Sequence, residues 1–231
     1  MIIYYLCIKF WKTNAVMKQL DLLIAEKLLC ASAIKLQPDT PFVWGSGWNS
    51  PMYNDHQQIL SHPSIRNLVK VEMARVIVEN FGSVDVIAGV ATGAIALGAI
   101  VADALALPYV YVREKAKDHG LENLIEGNIK AGQRVVIVED LLSTGRSCIK
   151  AAQAIRDAGG VVAGAVALFN YEFPVSVKAL KKERLSVKAV TNYTAMIKAA
   201  VESGKIKADD VASLQKWHDD PENWMPGDIF D

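Results

Sequence analysis

Residues 136–147, reading Val-Ile-Val-Glu-Asp-Leu-Leu-Ser-Thr-Gly-Arg-Ser, set two adjacent acids and a cluster of small hydroxyl residues directly behind an apolar run. The two groups suit different chemistry. Ser143, Thr144, Gly145 and Ser147 fall where a helix should start, and the free N–H groups and positive end of a helix make a seat for phosphate. Gly145 permits a tight backbone path, and the hydroxyls add donors. Glu139 and Asp140 cannot hold phosphate; as carboxylates they suit a ribose diol or a hydrated magnesium ion. Ser-Thr-Gly alone would be no more than a helix cap. Two acids followed at three residues by Ser-Thr-Gly-x-Ser, behind an apolar strand, are a far rarer arrangement. Neither the Gly-x-x-x-x-Gly-Lys spacing of a P-loop nor the Gly-x-Gly-x-x-Gly of a dinucleotide site occurs in this turn, which argues against an NTPase and a dehydrogenase.

A second chemical stretch is Arg113-Glu114-Lys115-Ala116-Lys117-Asp118-His119-Gly120. Most charge runs are solvated loops. This one follows an apolar run ending at Val112 and mixes Arg, Lys and His, the donors that a diphosphate needs.

These stretches require a scaffold. Short apolar runs at 84–89, 108–112, 135–138 and 161–169, with a fifth at 185–190, lack polar alternation, which predicts strands buried on both faces. Helical spacing is expected over 18–31, 64–81 (Ser61 or Ser64 as cap, Gly82 as stop), 94–105, 147–158 and 194–203. The alternation predicts an α/β fold, a parallel sheet flanked by helices, with ligands beyond the carboxyl ends of the strands. Pro38–Ser50 reads as loop and strand, and Trp217 and Trp224 as packing residues.

Lys+Arg and Asp+Glu balance at 25 each, so no global field recruits nucleic acid or an acidic membrane, and any anion must be captured locally. Hydrophobic residues make up 52% of the 231, enough for a buried core. Cys7, Cys30 and Cys148 show no metal or disulfide spacing; they read as small core hydrophobes in a reducing, cytoplasmic setting. Residues 1–16 read as a frayed or non-native extension ahead of a second start at Met17, because Lys9 and Lys12 interrupt the apolar stretch well short of a membrane span of ~20 residues. The organisation expected is an extension (1–16), an N-terminal helix and hood (17–82), and a core with a C-terminal helix and tail (83–231).

From Met17 to Trp224 the chain resembles the type I phosphoribosyltransferases, and its Arg113–Gly120 loop resembles that of orotate phosphoribosyltransferases in particular. The resemblance implies the type I fold with a small N-terminal hood. It implies transfer of ribose 5-phosphate from phosphoribosyl diphosphate, with magnesium, to orotate in pyrimidine biosynthesis. It assigns Ser143–Ser147 to the 5-phosphate, with Leu141 and Leu142 in the same motif, and Glu139 and Asp140 to the ribose hydroxyls. Thr92 and Gly93, in Gly89-Val90-Ala91-Thr92-Gly93-Ala94-Ile95, match the diphosphate loop. Arg113, Lys115, Lys117 and His119 match the loop that closes over the diphosphate across a dimer interface. Lys117, Glu139 and Asp140 are the implied catalytic residues. Residues 44–55, Trp-Gly-Ser-Gly-Trp-Asn-Ser-Pro-Met-Tyr-Asn-Asp, match the base-covering segment, which gives Ser46, Gly47 and Tyr53, with Ser143, to orotate. Magnesium is expected to arrive on the substrate, water-bridged to Glu139 and Asp140, with no direct protein ligand.

The chain departs from the family pattern in three places. Asn49 stands where a basic residue usually precedes Ser-Pro, His56-Gln57-Gln58 where a second one is expected, and Ala96 where the diphosphate loop continues Ile-Pro. Orotate binding weaker than in relatives that keep those charges is the expected consequence. The rival readings are a type I transferase for another base, a non-catalytic regulator that senses phosphoribosyl diphosphate, and a degraded paralogue with a weakened base site. The Lys-x-Lys-Asp-His-Gly loop disfavours a purine base, and the charged loop without a basic surface or a DNA-reading helix disfavours the regulator.

Overall fold

The computed structural model describes residues 14–37, 40–44, 47–115 and 124–225. The expected extension therefore lies mostly outside the described residues, as does Cys7. The centre is a six-stranded sheet in the order β10-β9-β8-β5-β6-β7. Its strands are β5 (Val86–Val90), β6 (Tyr109–Val112), β7 (Ile125–Glu126), β8 (Arg134–Leu142), β9 (Val161–Asn170) and β10 (Val187–Asn192). All neighbours run parallel except β7, a short edge strand antiparallel to β6.

The unalternating runs have a direct cause: both faces of the sheet are covered. On β8, Val136 and Val138 join one core while Val135 and Ile137 join the other, and all four are fully buried. One face is covered by α1 (Asn14–Cys30), α2 (Pro63–Phe81), α3 (Ile95–Leu105) and α6 (Tyr193–Glu202), the other by α4 (Arg146–Asp157) and α5 (Pro174–Lys182). A last helix, α7 (Asp210–Asp219), carries Trp217 into the first core, and Trp224 packs there too, as expected of both tryptophans.

Several expectations need correction. α2 starts at Pro63 with His62 as its cap and no side-chain capping bond, so neither Ser61 nor Ser64 serves; proline at the first turn sacrifices no helical N–H. Gly82 stops it as expected, at φ 65°. β8 continues through Glu139 and Asp140 to Leu142, because β9 keeps pairing with it as far as Leu142↔Asn170. The acids therefore lie within a strand and do not begin a loop. Cys30 closes α1 exposed to solvent, unlike buried Cys148. Helices α5 and α7 were not anticipated.

The hood is built from small pieces. β1 (Ile34–Leu36) pairs with β4 (Met52–Asn54), and β2 (Phe42–Val43) pairs with β3 (Asn49–Ser50), both antiparallel. A 3-10 helix, His56–Ser61, leads from the hood into α2. Among the described residues no helix is long and apolar enough to cross a membrane.

Candidate active site

Strand order fixes where the site lies. The chain leaves β5 toward β6 on one side, whereas β8 leads to β9 on the other, so the crevice opens beyond the carboxyl ends of β5 and β8. The loops there are Ala91–Ala94, before α3, and Ser143–Gly145, before α4. They meet at Asp140. A Cβ added at Gly93 would collide with the Asp140 carboxylate, so that position must lack a side chain for the acid to lie against the β5 loop. Thr92 follows a cis peptide bond from Ala91 in the same loop.

Gly145 caps α4 with φ 80°, a left-handed backbone that glycine takes without penalty. No side chain caps the helix, and so the turn's hydroxyls are not consumed as caps. The first N–H groups of α4 have no partners within the helix and face the crevice end of the sheet. Ser147 Oγ instead donates to Glu139 Oε2 at 2.8 Å, tying the turn to the buried acid. Glu139 is 3% exposed. Burial first, and then the charge of Asp140, push its carboxyl well above the usual range. Asp140 is only half-buried and is the acid offered to the crevice.

A cavity of about 380 Å³ adjoins this turn, lined by Val43, Trp44, Tyr53 and Asn54 of the hood and by Leu141, Ser143 and Tyr171 of the core. Tyr53 and Ser143 were expected at one base site and stand in one cavity wall. Gly47 turns the hood hairpin at φ 89°, its N–H donating to the Trp44 carbonyl at 2.8 Å; Ser46 lies outside the described residues. The lining offers hydroxyls, an amide and aromatic faces. It contains no lysine or arginine among the described residues. His56 does not replace the charge: burial lowers its pKa, and it lies outside the cavity lining.

Sequence reasoning missed Tyr171. It follows the end of β9 and lines the cavity, its main chain held by its N–H, which donates to the Leu142 carbonyl at 2.9 Å. Its available signal was position, since an aromatic just past an unbroken apolar run falls on the ligand edge of a parallel sheet.

The charged loop begins at the same edge. Arg113 N–H donates to the Leu124 carbonyl at 2.8 Å, joining the two ends of the segment between them. The Arg113 guanidinium lies 3.5 Å from Glu126, Lys115 is exposed, and Lys150 donates to the Glu114 carbonyl. Lys117 and His119 lie outside the described residues. Among the described residues no group of three or more His, Cys, Asp and Glu side chains could hold a metal. The acids at 139 and 140 could hold a hydrated magnesium ion, Asp140 being the more exposed of the two.

Comparison with known proteins agrees with this geometry. Residues 55–203 match the family described as "Phosphoribosyl transferase domain". An orotate phosphoribosyltransferase of Bacteroides thetaiotaomicron is 55% identical over 211 residues, covering 91% of this chain and 100% of that protein. One from Porphyromonas gingivalis is 52% identical over 208 residues, covering 90% and 99%. The crystal structure of orotate phosphoribosyltransferase from Aeropyrum pernix superposes with a TM-score of 0.69 at 26% identity, covering 80% of this chain and 99% of that one. On these matches this chain belongs to the orotate phosphoribosyltransferase family.

Proposed function

We propose that the protein transfers the ribose 5-phosphate of phosphoribosyl diphosphate to orotate, giving orotidine 5′-monophosphate and diphosphate. The observation that carries this reading is that one cavity joins the hood to the phosphate turn. Ser143 belongs to the turn and, with Leu141, lines the cavity, so a base in the cavity abuts a ribose phosphate seated at the start of α4.

The orotate ring nitrogen attacks the anomeric carbon, the bond from that carbon to diphosphate breaks, and the electron pair leaves on diphosphate. The ring nitrogen gives up its proton to the departing diphosphate. Catalysis requires alignment, exclusion of water and stabilisation of the departing charge. Backbone N–H groups and hydroxyls of Ser143–Ser147 seat the 5-phosphate, and Asp140, held against Gly93, takes the ribose hydroxyls. Thr92 and Gly93 face the diphosphate, toward which Arg113, Lys115, Lys117 and His119 bring positive charge. Glu139 and Asp140 would hold a hydrated magnesium ion, which would supply charge to neutralise the diphosphate. The enzyme works as a homodimer whose charged loop serves the neighbouring subunit's site. The scattered cysteines suit a cytoplasmic setting.

Purified protein given phosphoribosyl diphosphate and magnesium should consume orotate from a panel that also holds uracil, adenine and hypoxanthine. Turnover of another base alone, or retained ligand binding without turnover of any base, would overturn the assignment. Two variants probe the halves of the site. Gly93→Ala should lower kcat/KM for phosphoribosyl diphosphate by about tenfold to a hundredfold, since displacing a positioned group by about an ångström costs that much. A steady-state titration of the donor checks it, and an unchanged value would mean that Asp140 does not need its present place. Asn49→Lys should strengthen orotate binding about two- to fivefold, the worth of a solvent-exposed ion pair. Asn49 is directly opposite Val43, which lines the cavity, so a lysine stem can reach its rim. No change in orotate KM would detach the weak charge complement from this position.

A further inference from the structure

His56 is the one imidazole that the mechanism above leaves unused while lying against its central acid. The ring sits in the first turn of the 3-10 helix behind the hood and is 4% exposed. Its Nδ1 lies 3.0 Å from the main-chain carbonyl oxygen of Asp140, 84 residues away in sequence. A carbonyl oxygen only accepts, so Nδ1 must carry the hydrogen. Nε2 is buried and has no hydrogen-bond partner among the described residues. The ring packs against Phe169 of β9 at a centroid distance of 5.7 Å. Buried imidazole is a poor filler for such a place: an apolar side chain would fill it without leaving Nε2 unpaired. What the imidazole alone supplies is the donor to Asp140.

We propose that His56 is a positioning residue for the phosphoribosyl diphosphate site, fixing the main chain of Asp140 so that its carboxylate stays against Gly93. The inference rests on the reading that Asp140 faces the ribose. Asp140 is pinned from two sides. Its N–H donates to Glu139 Oε1 at 3.3 Å, and its carbonyl accepts from His56. Beyond Asp140 the chain must turn into Ser143–Gly145, so a slip at this carbonyl moves the acid and the phosphate seat together. The same bond joins the donor site to the cavity wall, because Tyr53 and Asn54 precede His56 by only Asp55. Asp55 is itself held, its N–H donating to the Ala33 carbonyl at 2.8 Å.

Two amide substitutions separate positioning from packing. The amide nitrogen of asparagine can occupy the place of Nδ1, whereas that of glutamine extends toward the place of Nε2; both remove the ring. Calorimetric titration of magnesium phosphoribosyl diphosphate into the full chain, without any base, reads the donor site directly. His56→Gln should weaken binding about tenfold, the loss expected when a buried carbonyl forfeits its donor. His56→Asn should bind within about twofold of the parent, even where both variants unfold at equally lowered temperatures. Equal binding by both variants, whether weakened or unchanged, would overturn the positioning role. If the parent itself fails to bind, the proposed function falls and this inference with it; if the parent binds and the two variants do not differ, only the inference falls.

Discussion

Replacing Lys117 by alanine should depress kcat by about a hundredfold to a thousandfold, the loss typical when one preorganised charge on a developing anion is removed. The departing diphosphate gains charge as the bond to the anomeric carbon breaks. The segment between Arg113 and Leu124 begins and ends at the sheet edge, where those two residues are joined by a backbone hydrogen bond. The thermal unfolding midpoint should therefore match the parent. Rapid-quench turnover with saturating substrates tests the chemical step, and Lys117→Arg should recover part of the loss because the charge returns. Parent-like turnover in the alanine variant would remove the loop from the catalytic machinery.

The contrast between what could and could not be read in the sequence follows from distance along the chain. The donor turn was legible because its parts are contiguous: a strand, two acids, hydroxyls and a glycine within 136–147, each with its own local preference. The two-faced sheet was legible because burial on both sides abolishes the alternation that a half-exposed strand would show. Strand ends were less legible. Glu139 and Asp140 look like the beginning of a loop, yet pairing with β9 carries β8 past them to Leu142. Polar residues lie in a strand wherever its partner continues, and a single strand's sequence does not show the partner. Remote contacts were not legible at all. His56 meets Asp140 across 84 residues, and Tyr171 enters the cavity wall only because β9 is registered on β8. The hood was assigned to the base from its family pattern, but its attachment to the C-terminal helix has no local signature.

That attachment carries the other large effect. Trp217 is fully buried on α7, and its indole N–H donates to the Asn49 carbonyl at 3.0 Å, across 168 residues. Its ring meets Trp44 edge-on at 5.8 Å and Tyr171 at 5.9 Å, and both of those side chains line the cavity. Phe173 at 5.6 Å and Tyr193 at 5.9 Å complete the packing. Trp44 in turn spans the hood, its indole donating to the Met52 carbonyl at 3.2 Å. The hood's short strands could not hold themselves in place, since two-stranded pairs are marginal in water. Trp217 supplies the large apolar surface that anchors them. Trp217→Ala should destabilise the protein by about 3–5 kcal/mol, the usual cost of truncating a fully buried tryptophan. It should also raise KM for orotate more than KM for phosphoribosyl diphosphate, because the lost ring supports one wall of the base cavity and none of the donor turn. Urea unfolding reads the first effect and paired substrate titrations the second. Trp217→Phe should recover most of the stability while still lacking the bond to Asn49. An unshifted urea midpoint in the alanine variant, or equal changes in both KM values, would show that α7 does not set the hood.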